Sequence, residues 1–274
     1  MENDSHVVTF AKMAKEMNLG KSVALLLSGL MLMFLIAPII GLFASVNFPT
    51  LHETIKDNQV ADSIGLTLST AAITTLIFSI LAIPTAYFLA RKKFIGKNFL
   101  LGMINIPIVI PHSAAGIALL GIISRQTMVG QFAQKIGIPL LDSPIAIGLA
   151  MSFVSVPYLI NTAREGFAGI PVRYEQQAKL MGASSTDVFF RISLPLNWRY
   201  ILNGIIQMFA RGMSEFGAVV IVSYHPTTTP VLIYERFTSY GLTYAQPIAV
   251  IFITICLIVF VLLRKIAQNS YANS

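Results

Sequence analysis

Long stretches without Asp, Glu, Lys or Arg dominate this sequence and restrict what it can fold into. A helix needs about 20 mostly apolar residues to cross the hydrocarbon core of a bilayer, because it rises about 1.5 Å per residue. Six segments meet that length, and only the fifth carries charged residues, Arg211 and Glu215, in its interior. The sequence therefore predicts an all-α membrane protein with six transmembrane helices: Ser22 to about Val46, about Ile64 to Ala90, about Phe99 to Ile123, Ser143 to Ala163, Trp198 to about Tyr224, and about Ala245 to Leu263.

The composition excludes a soluble globular protein. Only 11% of the residues are charged and the mean hydropathy is +0.73, whereas a soluble domain carries about 25% charged residues. Six spans in 274 residues leave little chain for a separate soluble domain. The first apolar run is longer than the apolar region of a signal peptide, which is about 7–15 residues, so we interpret it as an uncleaved first helix.

The residues do not support a disulfide, a metal site or ATP hydrolysis by this chain. The single cysteine, Cys256, has no partner for an internal disulfide, and no metal-ligand spacing is present. The sequence therefore indicates neither a metal nor a cofactor site. It also lacks a Gly-rich phosphate-binding loop, so the chain is not expected to be an enzyme that hydrolyses ATP itself.

The distribution of Lys and Arg predicts the orientation. Fourteen of the nineteen lie in the N-terminal segment, the second-to-third loop, the fourth-to-fifth loop and the C-terminal tail, whereas four lie in the other loops. Positive residues are enriched on the cytoplasmic side of membrane proteins. We therefore expect both termini in the cytoplasm of a multi-pass plasma-membrane protein. This orientation explains the net charge of +7 without a nucleic-acid partner.

The predicted cytoplasmic loop over residues 164–199 has the local chemistry of two short helices. Pro171 suits a first helical position, and Tyr174 to Met181 are good helix formers that Gly182 would stop. Ser184 and Asp187 then have the spacing of a capping box.

The capping box predicts a second helix over about Ser185 to Ile192, which Pro195 would end. This helix is too apolar for a freely solvated loop and predicts a docking partner. The apolar side chains concerned are Val188, Phe189, Phe190 and Ile192.

The same loop resembles the signature loop of ABC importer permeases. The family pattern is Glu-Ala-Ala, three residues, Gly, nine residues, Ile, one residue and Leu-Pro, and four positions are in register: Gly182, Ile192, Leu194 and Pro195. The Glu-Ala-Ala positions fall on Gln176, Gln177 and Ala178, of which only Ala178 matches. Glu175 lies one position early. Together with Glu175, the seven residues at the motif positions form the candidate ATPase-coupling site that the resemblance implies.

In that family the loop is the coupling helix, which fits a groove on the ATP-hydrolysing subunit. The resemblance implies a type I ABC importer transmembrane fold and a homodimer of this chain in membrane lipid. It also implies two ATPase subunits and an extracytoplasmic binding protein as partners. It covers the chain from about Asp62 to Lys265. It thus implies a transporter core over residues 62–265, an N-terminal segment with the first helix and an external loop over 1–61, and a cytoplasmic tail over 266–274.

Three other segments narrow the resemblance to oxyanion importers. Ile106–Gly116, Ala210–Ala218 and Thr229–Arg236 look like the corresponding segments of permeases for molybdate, tungstate and sulfate, and most like the archaeal molybdate/tungstate type. The resemblance therefore implies a permease for molybdate/tungstate-type oxyanions. The choice among these anions is expected to lie mostly in the external binding protein.

Each of the three ionisable residues singled out inside the predicted spans has two interpretations, a structural role and a role in transport. Arg211 and Glu215 are four apart and share a helix face, so they form either a structural pair or part of the substrate pathway. A self-neutralising pair is favoured, because a lone charge at membrane depth is costly. His112 is either a structural side chain or a site for protons or substrate. The alternative function is an ion-coupled secondary transporter that uses Glu215 or His112. The 164–199 loop favours the ABC importer over this alternative.

The charge distribution makes a testable prediction about sidedness. In a Cys256→Ala background, Lys93→Cys and Ser185→Cys are expected to react with a membrane-impermeant thiol reagent only from the cytoplasmic side. Gln126→Cys is expected to react only from outside. Labelling of intact cells against inverted vesicles measures this. External labelling at position 185 would contradict both the topology and the assignment of the 164–199 loop.

Overall fold

A computed structural model describes the backbone of residues 2–272 and the side chains of residues 21–267. Within residues 2–272 every regular element is a helix and no strand occurs, as the sequence predicts. The chain divides into two compact units, Met1–Thr50 and Leu51–Ser274.

The first unit is dominated by one long helix, α1 (Glu2–Ser45), which continues through Pro38. Its section Lys21–Ser45 has a mean hydropathy of 2.7, and none of its side chains is buried. This section is long and apolar enough to cross a membrane and corresponds to the first predicted span. A short helix, α2 (Phe48–Lys56), begins in this unit and runs into the second.

Long helices joined by short ones make up the second unit. Two of the long helices begin with a side-chain cap. Asp57 accepts a hydrogen bond from the Gln59 backbone N–H at 2.9 Å, and the Ser143 hydroxyl accepts one from the Ala146 backbone N–H at 3.2 Å. In chain order the elements are α3 (Asn58–Arg91), α4 (Lys97–Val109), α5 (His112–Ile123), α6 (Met128–Lys135), α7 (Pro144–Gly169), α8 (Val172–Leu180), α9 (Ser185–Val188), a π-helical turn (Phe189–Ser193), α10 (Leu194–Leu196), α11 (Trp198–Met213), α12 (Val219–Val222), α13 (Thr229–Tyr240) and α14 (Leu242–Ala272).

Helices α3, α7 and α11 form the centre of the second unit. Small residues let α3 and α7 approach closely, since a Cβ on Gly148 would lie 2.4 Å from Thr74 Cγ2. The Thr74 hydroxyl donates to the Thr70 carbonyl at 2.7 Å. Thr67 Oγ1 accepts the backbone N–H of Thr229 at 2.9 Å and so joins α3 to α13. These hydroxyl groups are engaged in helix packing.

Four described helices are long and apolar enough to cross a membrane. The bent pair of α4 and α5 makes a fifth if it is counted as one span. The four correspond to the first, second, fourth and sixth predicted spans, with ends that differ by several residues: Lys21–Ser45, Asn58–Arg91, Pro144–Gly169 and Leu242–Ala267.

The third predicted span, from Phe99 to Ile123, consists of two helices, α4 and α5, instead of one continuous helix. The axes of α4 and α5 are bent by 113° where they meet. Pro111 lacks a backbone N–H, and its ring disfavours the helical conformation at the residue before it. Ile110 accordingly has an extended backbone, with φ −72° and ψ 151°. Apolarity and length alone did not report this local effect.

The fifth predicted span, Trp198 to Tyr224, is also interrupted, so the prediction of a continuous helix was wrong. α11 ends at Met213, and residues 214–218 turn before α12 begins. Within the turn, Glu215 Oε1 accepts the backbone N–H of Ala218 at 2.8 Å. A carboxylate oxygen thus accepts the hydrogen bond that a backbone carbonyl would accept in a regular helix.

The two breaks lie against each other. A Cβ on Gly116 of α5 would lie 2.9 Å from the Ala218 carbonyl oxygen and 2.8 Å from Ile221 Cβ. A Cβ on Gly217 would lie 2.8 Å from His112 Cβ. Real Cβ atoms do not come this close, so glycine at both positions is what lets α5 and the 214–218 turn pack together.

This close packing predicts that Gly116→Ala destabilises the protein, because overpacking a close contact costs about 1–3 kcal/mol. Gly121→Ala in the same helix is the matched control, since its Cβ would meet nothing within 4 Å and alanine favours the helix. Denaturation midpoints of the purified proteins in detergent measure the difference. Equal midpoints for the two variants would contradict the close approach.

Candidate functional site

The first half of the 164–199 loop folds as predicted, apart from the role of Pro171. α8 ends at Leu180, and Gly182 has φ +91°, in the left-handed region that favours glycine. Pro171 precedes α8 as its N-cap instead of forming its first residue.

Ser184 and Asp187 form the predicted capping box at the start of α9. The Ser184 hydroxyl accepts the Asp187 N–H at 3.1 Å, and the Asp187 carboxylate accepts the Ser184 N–H at 3.3 Å. Hydrogen bonds from Ser184 lower the pKa of Asp187 below its usual range. The carboxylate half of the capping box is therefore fully formed at neutral pH and is lost as the pH falls through this lowered pKa.

The end of the second short helix differs from the prediction. α9 passes into the π-helical turn, where the Leu194 N–H donates to the Phe189 carbonyl, and the chain stays helical through α10. Pro195 does not end the helix, which continues to Leu196. The interruption comes at Asn197, whose Nδ2 donates to the Ala163 carbonyl at 2.8 Å.

The exposed apolar surface of the loop is not where the sequence placed it. Val188 is fully buried, and Phe189 packs with its ring centroid 5.0 Å from that of Tyr87. Phe190 is exposed, as predicted. The most exposed apolar side chains are instead Leu180 at 87% and Met181 at 89%. The helical period turns the second helix inward and leaves the tip of α8 as the apolar surface available for docking.

Glu175 fastens α8 to the rest of the second unit. Its Oε1 accepts hydrogen bonds from Arg91 Nε at 2.8 Å and from Ser193 Oγ at 2.8 Å, and its Oε2 accepts one from the Tyr87 hydroxyl at 3.2 Å. Arg91 Nη2 also lies 2.8 Å from Oε1. We call these four residues the Glu175 cluster. It joins the last turns of α3, helix α8 and the π-helical turn.

The Glu175 cluster is an ion pair with little access to water. The side chains of Arg91 and Glu175 are 11% and 8% exposed, and removing one partner from such a pair strands the other charge. Phe167 backs the cluster, with its ring 5.2 Å from that of Tyr87.

The other residues that the resemblance singled out surround Glu175 without joining its contacts. Gln176, Gln177 and Pro195 are exposed, whereas Ala178, Ile192 and Leu194 are half-buried.

Sequence reasoning missed the partners of Glu175. Arg91 lies 84 positions away at the end of α3, where a basic residue already satisfies the orientation rule. Ser193 occupies the one unspecified position between the pattern's Ile and Leu. Neither residue stands out without the fold, although Glu175 itself was among the candidate residues of the loop.

A second cluster forms where the two helix breaks meet. Arg211 Nη2 lies 2.8 Å from Glu215 Oε2, and His112 Nδ1 lies 3.1 Å from the same oxygen. Arg211 Nη2 is also within 2.8 Å of the imidazole nitrogens of His112. We call these three residues the Arg211 cluster. The structure thus brings together all three ionisable residues that the sequence singled out within the spans.

Burial is unequal within the Arg211 cluster. The Glu215 side chain is 0% exposed, whereas those of Arg211 and His112 are 20% and 37% exposed. Glu215 therefore depends on Arg211 for charge compensation, because a lone carboxylate has no access to solvent there. The cluster also connects α5 with α11 and the 214–218 turn.

The unequal burial predicts unequal mutational costs. Arg211→Met should destabilise the protein by about 3–5 kcal/mol, because it strands a buried carboxylate. Glu215→Gln should cost less, since its amide oxygen can still accept the Ala218 N–H and Arg211 keeps some access to solvent. The double variant should recover much of the loss, which a double-mutant cycle on detergent denaturation measures. Strictly additive losses would rule out the pair.

Comparison with known proteins places this fold and these segments in a family. Residues 82–271 match the model of the binding-protein-dependent transport system inner membrane component. The chain is 41% identical over 240 residues to the molybdate/tungstate transport system permease protein WtpB of Pyrococcus abyssi, covering 87% of this chain and 92% of that protein. It is 38% identical over 236 residues to WtpB of Methanocaldococcus jannaschii, covering 86% and 92%.

Solved structures show the same fold. The permease fold seen in the crystal structure of a bacterial alginate ABC transporter, in complex with an alginate pentasaccharide-bound periplasmic protein, matches with a TM-score of 0.70 at 17% sequence identity. The match covers 90% of this chain and 93% of that chain. The sequence-based expectation of a type I ABC importer fold is thereby confirmed. The chain belongs to the family of binding-protein-dependent transport system inner membrane components.

Proposed function

We propose that this chain is the permease subunit of an ATP-driven importer of molybdate/tungstate-type oxyanions. The observation that carries the proposal is the similarity to the archaeal molybdate/tungstate permeases along 87% of the chain at 41% identity. The Ile106–Gly116, Ala210–Ala218 and Thr229–Arg236 segments lie within residues 82–271, which match the family model. The proposed transporter core spans residues 62–265, preceded by residues 1–61 and followed by a tail over 266–274.

The proposed topology has six membrane crossings with both termini in the cytoplasm. The bent pair of α4 and α5 supplies the third crossing, and α11 with the 214–218 turn and α12 supplies the fifth. Broken helices at membrane depth occur in transporters where they line the substrate path. Fourteen of nineteen basic residues then lie on the cytoplasmic side, which supports this orientation.

The proposed partners follow from the same fold. Two copies of this chain form a homodimer in membrane lipid, and each copy docks one ATPase subunit through the 164–199 loop. Leu180 and Met181, at the tip of α8, supply the apolar side chains for this contact. An extracytoplasmic oxyanion-binding protein delivers the cargo on the opposite side. ATP hydrolysis belongs to the separate subunit.

The alternative function, a secondary transporter driven by an ion gradient, requires a group that binds and releases a proton. Glu215 is held by Arg211 at 2.8 Å and accepts the Ala218 N–H, so its carboxylate is already engaged in structural contacts. We therefore assign the Arg211 cluster a structural role in joining the two breaks. Its partly exposed members, Arg211 and His112, border the pathway.

The function is tested by reconstitution with the cognate ATPase and binding protein. The chain should co-purify with the ATPase, and hydrolysis should rise when the binding protein is loaded with molybdate or tungstate. Uptake should persist with a protonophore and stop when ATP is depleted. Uptake that needs a proton gradient and no ATP would overturn the proposal in favour of the alternative. Stimulation by sulfate alone would overturn the cargo assignment.

The docking surface is tested in the same assay with two matched methionines. Met181→Asp should lower ATPase co-purification about tenfold or more, because a buried charge replaces an apolar anchor of the interface. Met128→Asp is the control, since Met128 is equally exposed, at 90% against 89%, but lies on the proposed external side. Equal co-purification with both variants would contradict docking through the tip of α8.

A further inference from the structure

Helix α8 has almost no hydrophobic attachment to the protein that carries it. Of its nine residues, Val172 to Leu180, only Glu175 is buried. The other described side chains of α8 are exposed or half-buried. A helix that docks on a partner would therefore be held to its own chain by one carboxylate and by the backbone at its two ends.

At its C-terminal end the backbone places little constraint on the tilt of α8. The chain leaves α8 through Gly182, where an added Cβ would meet no atom within 4 Å. At its N-terminal end, α8 follows the buried Ile170 and the exposed Pro171. A change in the tilt of α8 therefore has to be absorbed at Pro171 and at Gly182.

Glu175, by contrast, makes directional contacts with two other elements. Ser193 ties it to the π-helical turn, and Arg91 and Tyr87 tie it to the last turns of α3. α3 packs along α7 and α11 and, at its other end, binds the Thr229 backbone through Thr67. A displacement of Arg91 is therefore also a displacement of α3, which packs along α7 and α11.

We propose that Glu175 is the positioning residue that transmits movement of α8 to α3. The inference rests on the proposed function, in which the ATPase subunit moves α8. With the Glu175 cluster intact, α8 and the end of α3 move as one body. Without it, the ATPase still docks on Leu180 and Met181, but α8 tilts on its backbone links and the spans do not follow.

The test measures ATP hydrolysis and molybdate uptake in the same proteoliposomes, with the ATPase and the molybdate-loaded binding protein present. Glu175→Gln keeps the size of the side chain and removes its charge. We expect the ATPase to co-purify normally. The number of ATP molecules hydrolysed per molybdate imported should rise about tenfold or more, which is the factor that corresponds to losing hydrogen bonds to a charged group. Gln134→Ala, at an exposed glutamine of α6 outside the 164–199 loop, should leave this ratio unchanged.

Two milder variants keep the test valid if Glu175→Gln does not assemble. Arg91→Lys replaces the planar guanidinium by a single ammonium group, and Ser193→Ala removes one donor, so each should raise the ratio by less. Exchange of the pair, Arg91→Glu with Glu175→Arg, should lower the ratio relative to either single exchange.

A wild-type ratio in Glu175→Gln would overturn the inference. So would loss of ATPase co-purification with a normal ratio in the complexes that remain, because the residue would then only maintain the docking surface. Failure of the proposed function is seen separately, as a wild-type chain that binds no ATPase or imports no molybdate.

Discussion

Every backbone N–H and C=O within a hydrocarbon layer has to find a partner inside the protein, since no water is available to bond it. Most of this chain meets the requirement with uninterrupted helices. The helices are interrupted at Ile110–Pro111 and over residues 214–218, and these two interruptions pack against each other. Gly116 and Gly217 allow that approach, and Glu215 supplies the acceptor that the Ala218 N–H would otherwise lack. The arrangement of α4, α5, α11 and α12 depends on this local solution.

Satisfying a backbone donor with a carboxylate creates a charge that the surroundings have to balance. Arg211 does so from one helical turn away, and His112 approaches the same oxygen from α5. An arginine serves better than a lysine here, because its several donors can meet both the carboxylate and the imidazole. These charges are thus a consequence of breaking the helices.

The sequence was sufficient for those parts of the fold that depend on periodicity and on local chemistry. Charge-free length located the four helices that are long and apolar enough to cross a membrane, Gly182 marked the end of α8, and Ser184 with Asp187 marked the start of α9. It was insufficient where one residue overrides the average of its segment, as Pro111 does in the third span. It was also insufficient where contacts join distant positions. The spacing of Arg211 and Glu215 was readable as a pair, whereas Glu175 and Arg91 become a pair only once α3 and α8 are folded.

The two ion pairs differ in what they can respond to. Arg211 and Glu215 sit four residues apart in one stretch of chain, so a rigid movement of α11 carries both and leaves their distance unchanged. Arg91 and Glu175 are on separate elements, and their distance changes whenever α8 moves relative to α3. Ion pairs fix geometry more strictly than apolar contacts, because both distance and direction matter to their strength. The first pair therefore keeps its geometry within one stretch of chain, whereas the geometry of the second changes with any displacement of α8 relative to α3.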